Sequence, residues 1–158
     1  MSSWAEFETE SPLLATFVRV RLEAHRHRTM ATIRADGSPR ISGIEVTVAR
    51  GEVWIGGLAG SRKFADLRRD PRLALHSGSD DPPCFRGDAR LSGRAVPVLD
   101  GEQMAAFIED AGGGPPGPFE LYRLDIVEAS TVREAESKDH LILEAWRHGE
   151  PTRLIERY

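Results

Sequence analysis

The sequence predicts a mainly β protein, a small antiparallel barrel carrying a few short helices. Three observations lead there. Runs with strand-like alternation are joined by tight-turn signals, Asp36-Gly37 and then Arg50-Gly51-Glu52, so that Met30–Arg34, Arg40–Val48 and Val53–Ile55 form an antiparallel meander. The helical patterns are short and do not alternate with strands as a doubly wound sheet requires. Six to eight such strands must close or pair to hide their edges, and closure into a barrel does so. The length of 158 residues is that of one average domain, so residues 1–158 are read as a single unit.

The elements follow in order. Ser11 stands as an N-cap before Pro12, and Leu14, Phe17, Val18 and Leu22 recur at helical spacing. Arg26-His27-Arg28 is expected at the C-terminal end of that helix, where cations meet its negative pole. In the second strand Ser42, Ile44, Val46 and Val48 share one face. The glycine-rich passage Gly56–Gly60 leads to Ser61, the N-cap of a short helix with Phe64, Leu67 and Arg68 on one side, ending before Pro71. Leu73–His76 and Asp88–Val96 read as strands around a polar loop. Asp100 and Gln103 open a third helix with Met104, Phe107 and Ile108 as its buried stripe. The run 112–118, all glycine and proline, is a surface loop. Phe119–Val127, Leu141–Trp146 and Arg153–Tyr158 complete the strands.

Composition narrows the functional classes. A net charge of −4 and a pI near 5.8 argue against a nucleic-acid or anionic-membrane binder. No apolar run is long enough to span a membrane and the first residues have no secretory-signal pattern, so a cytoplasmic protein is expected. The lone Cys84 forms no internal disulfide, and the five histidines have no metal-ligand spacing; His25 and His27, two apart on the expected helix, would point to different faces. Nucleophile elbow, phosphate-binding P-loop and dinucleotide fingerprint are all missing from the sequence. Catalysis by protein side chains alone has little support.

One segment carries chemistry. In Leu58-Ala59-Gly60-Ser61-Arg62-Lys63 a glycine permits close backbone approach, a helix start presents free N–H groups, and Ser61 adds a hydroxyl. Arg62 can chelate a phosphate with two bonds, while Lys63 supplies a compact charge. Both cations oppose the helix dipole, a cost of about 0.3–1 kcal/mol each that a bound anion would reverse. Lys63 is also one of only two lysines among 21 basic residues. An ordinary N-cap followed by two solvated cations is the competing explanation.

Ala31-Thr32-Ile33, Asp36-Gly37-Ser38-Pro39-Arg40, Gly60-Ser61-Arg62-Lys63, Asp70–Leu75 and Gly93-Arg94-Ala95, in that order along the chain, resemble the pyridoxamine 5′-phosphate oxidase-like family. The resemblance implies an FMN-binding split β-barrel and a homodimer with cofactor at the subunit interface. It implies that Ser61, Arg62 and Lys63 hold the FMN phosphate and that Arg40 touches the flavin. A weaker match near the C-terminus implies cofactor contacts from Trp146 and Arg157 and a substrate contact from Arg153. Two positions depart from the family. Glu45 replaces a lysine that serves flavin and substrate phosphate, and Asp88 replaces a glutamine near the flavin ring. A carboxylate at Glu45 implies feeble turnover, or none, of pyridoxamine 5′-phosphate. The expected activity is therefore FMN-dependent oxidoreduction of another small molecule. Two alternatives stay open: a deazaflavin-dependent reductase on the same fold, and a non-catalytic flavin- or haem-binding protein.

Overall fold

The computed structural model describes residues 2–114 and 116–158. Among them the chain forms α1 (Trp4–Glu10), α2 (Pro12–Glu23), β1 (Arg28–Ile33), β2 (Pro39–Ala49), β3 (Glu52–Leu58), α3 (Arg62–Arg69), β4 (Arg72–His76), β5 (Asp88–Pro97), α4 (Gly101–Asp110), β6 (Phe119–Glu134), β7 (Leu141–Arg147) and β8 (Arg153–Arg157). The order across the sheet is β3-β2-β1-β4-β5-β6-β7-β8, and β6 also pairs with β3. This second pairing closes β1 to β6 into a six-stranded antiparallel barrel.

The long strand β6 makes both closure and extension possible. Its first part, Phe119–Arg123, pairs with β3, and its second part, Glu128–Glu134, pairs with β7. The meander β1-β2-β3 forms as its turn signals require. Arg50 and Gly51 both have positive φ, 53° and 74°, the conformation whose twist suits a two-residue hairpin. Gly93 lies opposite a bulge in β6, where Val127 is the extra residue; a Cβ added to Gly93 would stand 2.1 Å from the Asp125 carbonyl oxygen, so no larger residue fits.

Alternate residues of the barrel strands point inward, including Met30, Ile44, Val46, Val53, Ile55, Leu75 and Leu91, and they share one core with Trp4 and Phe7 of α1 and Val18 and Leu22 of α2. Trp54, one residue out of phase with Val53 and Ile55, faces outward and joins a smaller cluster with Val98, Leu121 and Phe107 of α4.

Several boundaries differ from the sequence expectation for local reasons. α1 was not foreseen; a capping box builds it, the Ser3 N–H donating to Glu6 at 2.8 Å and the Glu6 N–H to the Ser3 hydroxyl at 3.2 Å. α2 ends at Glu23, so His25, Arg26 and His27 lie in its connection to β1 and not on a helix. β3 continues through Gly56 and Gly57 because Leu121 and Glu120 of β6 pair with them. β6 runs seven residues past Val127, carried by its pairing with β7. On α3 Asp66 is buried with Phe64 and Leu67, while Arg68 turns outward to Glu120.

A basic cleft as candidate functional site

Beside the start of α3 lies a cleft of about 720 Å³. Its floor is the outward face of β2 at Gly43, Glu45 and Thr47 with the end of β3 at Gly56–Leu58; Lys63 stands at one edge and Arg26 and His27 at another. Phe107, Ala111 and Gly112–Gly114 make the facing wall.

Strand alternation sets this floor. Ile44 and Val46 go inward, so Gly43 and Glu45 must face out. At Gly43 an added Cβ would meet nothing within 4 Å, so any side chain there would project into the cleft. The Gly43 carbonyl accepts from Lys63 Nζ at 2.8 Å. Burial pushes the Lys63 ammonium below its ordinary pKa, the effect expected of a cation with no anion beside it.

The loop before α3 is held from β6. The Gly60 N–H donates to Glu120 at 3.1 Å, Gly60 taking φ +76°, and Glu120 also accepts from the Tyr122 hydroxyl at 2.9 Å and from Arg68. Burial, aided by Glu120, pushes the Tyr122 hydroxyl up to about 12. Ser61 follows in extended conformation at the N-cap position, yet its hydroxyl caps nothing. Its Oγ is buried and has no hydrogen-bond partner among the described residues. Arg62 is exposed, and no acidic residue lies in the first turn of α3 to offset the two cations. A buried hydroxyl without a partner beside two cations and a helix start has the donor chemistry of an anion site.

Other residues singled out in the sequence are placed differently. Arg40 is paired with Thr32 on the inward side of the barrel end, and its Nε donates to Asp66 at 2.6 Å. It does not line the cleft, and Arg40 and Glu45, five residues apart, take opposite faces of β2. Glu45 does line the cleft, but Arg26 Nε donates to it at 3.0 Å, so its charge is matched by a neighbouring cation. Trp146 is 1% exposed, packed on Phe7 with its indole N–H donating to Glu10 at 3.1 Å. This is a core position under α1, away from the cleft lining. Arg153 pairs with Glu150 at 2.8 Å, and Arg153 and Arg157 both lie on the exposed edge strand β8, outside the cleft. Asp88 is buried at the start of β5, accepting from the Ser79 hydroxyl at 3.2 Å with His76 at 3.5 Å.

Three residues important to this arrangement escaped the sequence reading. From sequence Arg26 reads as a helix-end charge, and Glu120 as a strand residue with no marked role. Asp66 is three residues after Lys63, a polar residue on the buried side of a short helix; that position was its only signal.

Fold and site together define a closed antiparallel barrel protein with a cleft on its outer wall that Lys63 borders, Ser61 and Arg62 lying just outside its lining. A family model described as pyridoxamine 5′-phosphate oxidase matches residues 14–133, and the chain belongs to that family. The match runs from α2 to the end of β6 and leaves out β7 and β8, where Trp146, Arg153 and Arg157 lie. No curated protein matches the chain by sequence. Solved structures share its fold at low identity. A pyridoxamine 5′-phosphate oxidase-related, FMN binding protein from Nostoc punctiforme is 14% identical, with TM-score 0.62 over 94% of this chain and 96% of that one. Campylobacter jejuni ChuZ is 15% identical, with TM-score 0.64 over 94% of this chain and 62% of its own. PhzG from Burkholderia lata, crystallised with tetrahydrophenazine-1-carboxylic acid, is 16% identical, with TM-score 0.57 over 97% and 92%.

Proposed function

We propose that the protein is an FMN-dependent oxidoreductase acting on a small molecule other than pyridoxamine 5′-phosphate. The observation that carries this reading is the buried, unpartnered Ser61 hydroxyl beside Arg62 and Lys63 at the start of α3. A terminal phosphate fits that donor set. Ser61 and the first N–H groups of α3 would donate to its oxygens, Arg62 would chelate it, and Lys63 would exchange the Gly43 carbonyl for a full anionic charge. The Gly43 floor leaves room for a flat ring, since no side chain rises from it. Bound there, the flavin would supply hydride-transfer chemistry. The chain's own part is to anchor the phosphate, keep the loop at Gly60 fixed through Glu120, and present the outward face of β2, open at Gly43 and flanked by Glu45, as a platform. The family membership and the FMN-binding Nostoc neighbour support the choice of FMN.

Titration of apoprotein with FMN tests the anchor. The double variant Arg62→Ala/Lys63→Ala is expected to bind FMN about 100-fold or more weakly while keeping the wild-type circular dichroism, since charge-assisted bonds contribute about 1.5–3 kcal/mol each. Equal affinities would refute the assignment. The visible spectrum of the co-purified cofactor separates FMN from a deazaflavin, which absorbs further to the blue.

A further inference from the structure

The cleft has a second polar end, built from the connection between α2 and β1. Arg28 opens β1 and is 9% exposed. Its guanidinium donates to the carbonyls of Leu22 and Arg26, binding the last turn of α2 to its own corner. Because Arg28 lies opposite Ile44, the residues just before it overhang the next position of β2, Glu45. There Arg26 Nε donates to Glu45 Oε1 at 3.0 Å, and His27 Nε2 stands 3.7 Å from the same oxygen. The two terminal nitrogens of Arg26 have no acceptor among the described residues, and the side chain is 80% exposed. So a guanidinium held by one edge presents its other donors to the cleft that Lys63 borders.

We infer that Arg26 and His27, oriented by Glu45, bind the carboxylate of the substrate, and that the substrate is a small monocarboxylic acid with an apolar, planar body. The body lies against Phe107 and the side-chain-free wall Gly112–Gly114. This rests on the flavin reading for the word substrate, but the binding itself does not require it. Arg26 and Glu45 cancel in charge, leaving the buried Arg28 as the local excess. That balance suits a monoanion. A phosphate dianion would bring a second negative charge that one guanidinium, already shared with Glu45, does not offset.

Calorimetric titration of the protein, FMN-saturated and FMN-free, with benzoate, benzamide and phenyl phosphate tests this. Benzoate is expected to bind about tenfold or more tightly than benzamide, the uncharged isostere. Arg26→Gln, an exposed change that keeps the backbone carbonyl used by Arg28, should weaken benzoate by about tenfold or more and leave FMN and benzamide affinities unchanged. Glu45→Gln keeps an acceptor for Arg26 but removes the charge, so phenyl phosphate should gain more affinity than benzoate; a merely structural role would not shift that ratio. Benzamide equal to benzoate, an unchanged benzoate affinity in Arg26→Gln, or competition between benzoate and FMN would overturn the inference. Failure of FMN to bind while benzoate still distinguishes Arg26→Gln would instead count against the cofactor reading alone.

Discussion

At the scale of single residues, Asp66 does the most to hold the site's surroundings together. It is 3% exposed, and it accepts from Thr32 Oγ1 at 2.9 Å, Arg40 Nε at 2.6 Å and, more distantly, Arg69 at 3.4 Å. Through it the inward residues of β1 and β2 are tied to the helix whose first turn carries Lys63. The hydrogen bond from Arg40, outweighing burial, holds the Asp66 carboxyl below the usual carboxylate range. A depressed folded pKa means that Asp66 adds stability at pH above its unfolded value, near about 3.9, and that this is lost as pH falls through the folded pKa. Asp66→Asn should therefore cost stability at pH 7, about 1.5–3 kcal/mol for each charged bond weakened. The variant should also lose less further stability than wild type as the pH is lowered below about 4. Urea denaturation at a series of pH values checks both; parallel acid profiles would show that Asp66 is not depressed.

At the scale of elements, the turns, caps and alternation were legible, and what depended on distant partners was not. The meander could be read because Gly37 and Gly51 sit where positive φ is needed, at 83° and 74°. The Ser61 start of α3 and the Asp100 cap of α4, which accepts from the Gln103 N–H at 2.8 Å, are local signals as well. β6 ran past its expected end because pairing with β7, and no pattern within Phe119–Glu134, extends it. The proposed anion anchor can be named from sequence because Ser61, Arg62 and Lys63 are consecutive; the corner bearing Arg26 meets Glu45 only after β1 and β2 pair, 19 residues apart in sequence. Trp146 shows the same limit in reverse, since an aromatic near the C-terminus fits a site or a core equally well until its neighbours are known. Here Glu10 of α1 decides. It accepts from Trp146 Nε1 at 3.1 Å and from the Gly149 N–H at 3.2 Å, with His148 at 3.0 Å, locking the β7–β8 hairpin to the first helix. Glu10→Ala leaves that buried indole N–H without its acceptor, so a loss of about 1–3 kcal/mol is expected. The tryptophan emission should shift, because the indole loses its acceptor while Phe7 still packs against it. Unchanged stability with unchanged emission would show that Glu10 does not fasten the hairpin.

At the scale of the whole molecule, one side of the barrel is left bare. Ala31 pairs with Ile41 on one side and Ala74 on the other, so three apolar residues from β2, β1 and β4 stand in a row on the outward face. Ile41 is 75% exposed, and the row borders a shallow hollow of about 500 Å³ reaching His76, Arg90 and Ser130. The edge strand β8 exposes Leu154, 55%, and Tyr158 just after it is 89% exposed. An apolar face of this kind, adjoining the Gly43 floor along β2, suits a second copy of the chain, and a stable pair would bury about 800 Å² on each partner. Two copies would also explain how Arg153 and Arg157 could reach a cofactor that they do not approach within one chain: each β8 would act on the cleft of the other. Ile41→Glu places a charge in the centre of that face while changing nothing in the core, so the fold should survive and association should not. Light scattering is expected to give a dimer for wild type and a monomer for Ile41→Glu. FMN titration of the variant should show weaker binding, because the partner's strand is missing while Ser61, Arg62 and Lys63 remain. A wild-type monomer that binds FMN fully would remove the dimer, and with it any role for β8 at the site.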